Sequence, residues 1–348
     1  IGGTLNINQK IEATGAASII QANVQGDINV NSTVQTNGGG INLYADDNLA
    51  LGATSLVDTT TAELVRLIAD FNSDSSGGFT QEEGSLVNAR GGDLVAQAYG
   101  DVEIADLQSA GGRVVVTSLG GGVVDNTTSP SEAPLITASE VAFQAAGSVG
   151  GAGDADIDTA VSTLSASATS GDVVVSNTGA LIIGDVIPLS GVLATNGSVT
   201  VSASSPLTVA SNVSASGTVT LTSTDGAGPG DDLTINAGVT VQSTVADVVL
   251  NSGDDFLLSL TGEVIAATTI TINIDPITDG AGATVDLLGN VNATQTTING
   301  GDDSDIFNIL PTVDSPITVN GGDPTLPGPG DVLNLDFSGL ASAPALTL

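Results

Sequence analysis

The oxygen-bearing side chains best placed for chemistry in this sequence lie in two short acidic runs that also carry Gly. The first places Asp70, Asn72 and Asp74 ahead of Gly77 and Phe79, with Glu83 at its far end. Hard oxygen donors at alternate positions, a Gly that permits a tight turn and a late Glu form the pattern of an EF-hand-type calcium loop. The spacing departs from that pattern by one extra residue before Gly77. After Gly84 the sequence returns to a strand pattern where a second helix is required. The second run is GGDDSDIFN, from Gly300 to Asn308. Its Asp305 and Phe307 match the Gly/Asp repeat that binds calcium in parallel β-helices, whereas Asp303 stands where a third Gly belongs. The expectation is therefore Ca²⁺ as cofactor, held by Asp70, Asn72, Asp74 and Glu83, and by Asp302, Asp303 and Asp305. The plainer alternative for each run is a solvated acidic corner.

Other constellations point away from catalysis. The pairs Asp231–Asp232 and Asp254–Asp255 supply two carboxylates each, as glycoside hydrolysis requires. Both pairs are adjacent in sequence and precede apolar strands, which marks a corner habit. The few aromatics (two Tyr, six Phe) are scattered and offer no platform for a sugar. With no His and no Cys, a Ser-His-carboxylate triad, a thiol nucleophile and a Cys/His zinc site are all excluded. No phosphate loop is present. The chain reads as a non-enzyme, with a polysaccharide-acting enzyme ranked last. Thr218, Thr220 and Thr222, and likewise Thr269 and Thr271, show the alternate Thr spacing of an ice-binding face, which is also ordinary strand alternation.

Charge narrows the partners. The chain has 348 residues, 39 acidic and 4 basic, for a net charge of -35. The bases are Lys10, Arg66, Arg90 and Arg113, so no cationic groove for a phosphate backbone can be built. An anionic membrane surface is excluded likewise, and no apolar run is long enough to span a bilayer. Disorder, the usual reading of acidic and aromatic-poor chains, is opposed by 41% hydrophobic content in strand-sized runs.

Those runs must position the acidic groups. A phrase of Gly followed by alternating apolar and small polar residues recurs: GDINVN from Gly26, GDLVAQ from Gly92, GRVVVT from Gly112, GDVVVS from Gly171, GSVTVS from Gly197 and GTVTLT from Gly217. Alternation of this kind is the signature of a β-strand with one buried face. Gly92 and Gly112 lie twenty residues apart, as do Gly197 and Gly217. Further apolar strands fall between the phrases, such as LTVA from Leu207 and LTIN from Leu233. Three short strands per turn of about twenty residues describe a coil of a parallel β-helix. No coil buries its apolar face alone, so stability must come from stacking. The expected fold is all-β, a right-handed parallel β-helix solenoid with a short inserted helix-loop.

The insertion is read at 57–84, where Leu64, Leu67, Ile68 and Phe71 share one side of a helix and Thr60 or Thr61 serves as its N-cap. This divides the chain into coils at 1–56, the inserted helix and acidic loop at 57–84, coils with loop excursions at 85–274, and a Gly/Asp-rich β region at 275–348. Loops are expected at 129–134 and 147–158. The chain opens inside patterned sequence with no signal segment, so it reads as a processed product or an internal piece.

The stretches SGDVVVSNTGALIIGDV, NGSVTVSASSPLTVASNVSASGTVTLTS and DDLTINAGVTVQS resemble the filamentous haemagglutinin-type repeat region of very large bacterial surface and secreted proteins. The resemblance covers roughly 20–275 apart from the insertion. It implies a right-handed parallel β-helix serving as stalk, sheath or matrix fibre, secreted or held at the cell surface. On that footing the chain is expected to be a structural segment stabilised by calcium. Self-association end to end into fibres is the expected partnership, and no nucleic acid or membrane insertion is expected. A glycan- or surface-binding adhesive module, with a glycan or cell-surface ligand, is the alternative.

Overall fold

Strands form wherever branched apolar residues alternate with small polar ones, because each coil can bury only alternate side chains. In Val219–Ser223 the apolar Val219 and Leu221 point inward while Thr220 and Thr222 face out, and the same inward–outward pattern runs through Val248–Ser252. A computed structural model describes residues 2–128, 133–153, 155–226, 229–276, 281–310, 315–322 and 330–338. The protein is all-β, with 53% of residues in strands and no helix among the described residues. Its parallel stacked coils form a β-solenoid of about 13 turns.

The chain divides into two compact units, one comprising 1–178 and 185–190, the other 179–184 and 191–348. In the first unit, Leu5–Ile7, Ile28–Val30, Leu49–Leu51, Phe79–Gln81, Val102–Ile104 and Val123–Asp125 stack in parallel register. Ile20–Val24, Ile41–Ala45, Val65–Ile68, Leu94–Ala98, Leu107–Ser118, Ile136–Ala145 and Thr163–Ala168 stack on another side. In the second unit the spine is Val199–Ala203, Val219–Ser223, Val248–Ser252, Thr269–Ile274, Gln295–Asn299 and Ile317–Asn320. The twenty-residue phrase spacing becomes coil register: Leu94 pairs with Val114 and Val199 with Val219.

The core is a set of aliphatic columns one side chain wide. Leu221, Leu250, Ile272 and Ile298 stack from coil to coil, each fully buried. Phe79, Phe143, Phe256 and Phe307 are buried in comparable positions. A narrow core of this kind needs few aromatics.

The inserted helix expected at 57–84 does not form. Leu56–Thr59, Val65–Ile68 and Phe79–Gln81 are strands within the parallel ladders, with Ile41, Val65 and Leu94 in register. Val65 and Leu67 are buried while Arg66 between them is exposed, so the operative period is two rather than 3.6. The run fits both periods, and stacking on coils already present decides for the strand. What remains of the insertion is a loop over 70–78, which lengthens the coil between Leu49 and Phe79 to 30 residues. The loop expected at 129–134 lies mostly outside the described residues.

Ladders of side-chain amides run parallel to the backbone ladders. Asn273 Nδ2 donates to Asn251 Oδ1 at 2.8 Å, Asn299 to Asn273 at 2.9 Å, and Asn320 to Asn299 at 2.8 Å. A second ladder links Asn334 to Asn308 and Asn308 to Asp286, both at 2.8 Å. Each amide satisfies its neighbour, so the polar groups beside the core stiffen the stack instead of opposing it.

Candidate functional site

Corners between strands splay backbone N–H groups out of the ladders, and an unpaired N–H costs free energy wherever water is excluded. The acidic residues supply the missing acceptors. In the first unit, Asp27 Oδ1 accepts from the backbone N–H of Asn48 at 3.1 Å, and Asn48 Oδ1 accepts from Gly78 N at 3.0 Å. Asp101 Oδ1 accepts from Gly122 N at 2.8 Å. In the second unit, Asp232 Oδ1 takes the N–H of Asp255 at 3.2 Å and Asp255 Oδ1 that of Thr284 at 2.7 Å. Asp254 Oδ2 accepts from both Gly230 N and Asp231 N, at 2.6 and 2.9 Å. Each carboxylate thus bonds a coil next to its own, and the adjacent Asp pairs are corner caps.

The first calcium-type run is only partly assembled. Asp70 is buried at a positive φ of 56°, and its Oδ1 accepts from Asp74 N at 2.9 Å. Asn72 Nδ2 donates to Asp74 Oδ2 at 3.0 Å, and Ser76 Oγ donates to Asp74 Oδ1 at 2.5 Å. The Ser76 bond holds the exposed Asp74 carboxyl below its ordinary pKa. Glu83 lies beyond strand Phe79–Gln81, where it accepts from Thr128 Oγ1 at 2.8 Å. The structure therefore brings Asp70, Asn72 and Asp74 together and leaves Glu83 apart. Gly77 is required because a Cβ there would overlap the Asp47 carbonyl of the preceding coil.

The second run is drawn inward. Asp303 and Asp305 are buried and Asp302 is exposed. Asp305 accepts from Ala283 N through Oδ1 at 2.9 Å and from Gly301 N through Oδ2 at 3.0 Å, while its own N–H donates to Asp331 Oδ1 at 3.1 Å. Burial, with added repulsion from Asp331 and Asp303, raises its pKa against the pull of those N–H groups. The Gly pair belongs to the same packing, since a Cβ at Gly300 would strike this carboxylate and one at Gly301 the Asp275 carbonyl. Among the described residues, no group of three or more Asp or Glu side chains is arranged to hold a metal ion.

Three of the four cations are spent locally. Arg90 Nε pairs with Asp58 Oδ1 at 2.8 Å, Arg113 Nη2 with Asp93 Oδ2 at 2.6 Å, and Lys10 with Glu12 at 2.7 Å. Arg66 makes no ion pair among the described residues.

A groove of about 450 Å³ in the first unit is lined by Glu83, Asp106, Gln108 and Thr127 among others. Asp106 is raised in pKa by burial, and Gln108 Nε2 donates to both its oxygens at 3.0 and 3.3 Å. The two carboxylates are thus each engaged with a neighbour, Asp106 with Gln108 and Glu83 with Thr128.

Two features escaped the sequence reading. Tyr44 and Phe71, far apart in the chain, stack with ring centroids 4.7 Å apart, so these two aromatics are not scattered. The Asn ladders were signalled only by Asn closing similar strand phrases, as in ITIN ending at Asn273, TTIN at Asn299 and ITVN at Asn320. Comparison with protein-family models, with curated proteins and with solved structures returns no match.

Proposed function

We propose that this chain is a structural segment of a secreted or cell-surface filamentous protein, of filamentous haemagglutinin type, serving as an adhesin stalk, sheath or matrix fibre. The observation that carries the reading is how the carboxylates are used: they accept backbone N–H groups of neighbouring coils at the corners. Side chains committed in this way hold a stack together and leave little free for turnover. Calcium, in this reading, offsets the repulsion among the remaining carboxylates of an acidic stack. Copies associate end to end by adding coil to coil.

One observation favours the surface-binding alternative. On the second unit, Thr200, Thr220, Thr271, Thr297 and Thr318 align in one outward column interrupted only by Val249. Beside it run Ser202, Thr222, Asn251, Asn273, Asn299 and Asn320, so a twelve-residue face carries no charge. Branched Thr side chains and amide-locked Asn make it regular and stiff, suited to a neutral ordered surface. Adsorption to ice and to insoluble neutral polysaccharides separates the two readings. A stalk segment leaves both surfaces bare. Adsorption that disappears when Thr271→Lys and Thr297→Lys are combined would replace the stalk reading with the adhesive one.

A further inference from the structure

Phe71 leaves its own coil and lies against the one before it. After the strand Val65–Ile68, the positive φ of 56° at Asp70 turns the chain back, and Phe71 N donates to Ala45 O at 2.9 Å. The Phe71 ring is thereby set on Tyr44, with centroids 4.7 Å apart and planes 28° apart. Phe71 remains 50% exposed, so the pair presents an aromatic surface to solvent.

Around the rings, charge is ordered along the strand. Tyr44 is in register with Asn23 and Ile68 on the flanking coils. Two residues earlier the outward column runs Gln21, Asn42, Arg66 and Val95. Arg66 is exposed and makes no ion pair among the described residues, whereas the other three bases each have an acidic partner. Its neighbours in that column are uncharged. The spacing of a parallel sheet puts the Arg66 and Tyr44 Cα atoms about 8 Å apart, within reach of a long side chain. Asn42 holds the platform in place, its Oδ1 accepting from Tyr44 Oη at 3.3 Å. Two residues past Tyr44, on the side away from Arg66, stands the half-buried Asp46.

We propose that this face binds an acidic saccharide, a sugar bearing a carboxylate such as a uronic acid. Arg66 takes the carboxylate through its planar fork of donors. The Tyr44–Phe71 surface takes the C–H face of the sugar ring, whose hydrogens meet the negative faces of the aromatic rings. Asp46 accepts from sugar hydroxyls at the end remote from the carboxylate. A neutral sugar finds the rings and forfeits the ion pair, and a small inorganic anion finds Arg66 alone. In a chain of net charge -35, an arginine without an acidic partner among uncharged neighbours is a local attraction for an anion. A rod segment and an adhesive module can each carry such a site, so it stands apart from both readings above.

Tyr44 itself reports on the site. The chain has two Tyr and no Trp, so after Tyr99→Phe the tyrosine emission comes from Tyr44 alone. That protein is titrated with tri-galacturonate and, separately, with neutral galactotriose, following emission and heat, with circular dichroism as a check on folding. Tri-galacturonate should change the emission to saturation and bind about tenfold to a hundredfold more tightly than the neutral sugar, the share of a charge-assisted hydrogen bond. Adding Arg66→Gln should bring the acidic sugar down to the level of the neutral one, and Phe71→Ala should weaken both. Equal affinity for the two sugars would overturn the proposal, as would an acidic-sugar affinity that Arg66→Gln leaves intact. Absence of both heat and emission change with millimolar tri-galacturonate sinks it equally. Should Phe71→Ala loosen the loop, Arg66→Gln still decides, because it alters an exposed side chain that makes no ion pair among the described residues.

Discussion

Replacing Ile272 with aspartate will unravel the coils around it and leave the first unit folded. Ile272 is fully buried, in register with Leu250 on one side and Ile298 on the other. A carboxylate there has neither water nor a cation, since every basic residue lies in the first unit. Burying an unpaired charge belongs with the most disruptive substitutions, at about 4–5 kcal/mol or more. Ile272→Val, which leaves a one-carbon cavity, should cost about 1 kcal/mol. Because each coil touches only its neighbours, damage spreads along the stack and fades. Hydrogen exchange read by peptide should show protection lost first in 248–252, 269–274 and 295–299 and kept in 20–24 and 41–45. Uniform loss across both units would contradict coil-by-coil stability.

The second large effect is on pH. Acidification should first raise the melting temperature, as the pH falls through the raised values of buried carboxyls towards the model value of 3.8. Asp106, Asp232 and Asp305 all have raised pKa values, with burial the largest cause in each case. For a carboxyl raised in the folded state, the folded protein takes up its proton before the unfolded chain does. The penalty is complete above the folded pKa and disappears as pH falls through it towards the model value of 3.8. Asp27 and Asp247 run the other way, lowered chiefly by hydrogen bonds from Asn48 and Thr268. Their contribution is present above the unfolded value and is lost only as pH drops through their depressed folded values. Stability should therefore pass through a maximum on acidification and collapse once the pH reaches the depressed values of Asp27 and Asp247. Calcium should add stability by a separate route, relieving repulsion among the carboxylates, and chelation should undo that gain. Asp232→Asn keeps an acceptor for Asp255 N while removing one charge beside Asp231, Asp254 and Asp255, so it should flatten the rise. A melting temperature that falls steadily from pH 7.5 downward would contradict this balance.

Much of the fold was legible because a coil repeats its own logic. The phrases beginning at Gly92 and Gly112 set the pairing of Leu94 with Val114, and those at Gly197 and Gly217 that of Val199 with Val219. The Asp231–Asp232 and Asp254–Asp255 pairs read as corner features in sequence and serve as corner caps in the fold. The helix expected within 57–84 gives way to strands for a physical reason. Leu64, Leu67, Ile68 and Phe71 satisfy the helical period, yet Val65, Leu67 and Ala69 satisfy the strand period equally, and only a neighbouring coil decides between them. The calcium-type runs were convincing because a cation and a backbone N–H favour the same Asp and Asn oxygens. Where those oxygens point depends on coil register, as the separation of Glu83 from Asp74 illustrates. The hairpin at 185–190 was invisible since its strands are two residues long and its partner, Ser165, is set by stacking.

Pulling the chain by its two ends in a single-molecule force measurement tests the structural reading most directly. The second unit repeats at 20 to 29 residues per coil. A stack held by nearest-neighbour ladders should therefore yield in successive steps, each releasing about 65 to 105 Å of extended chain. Loss of that unit in one indivisible event would contradict an account in which each coil is secured by the caps and ladders of the next.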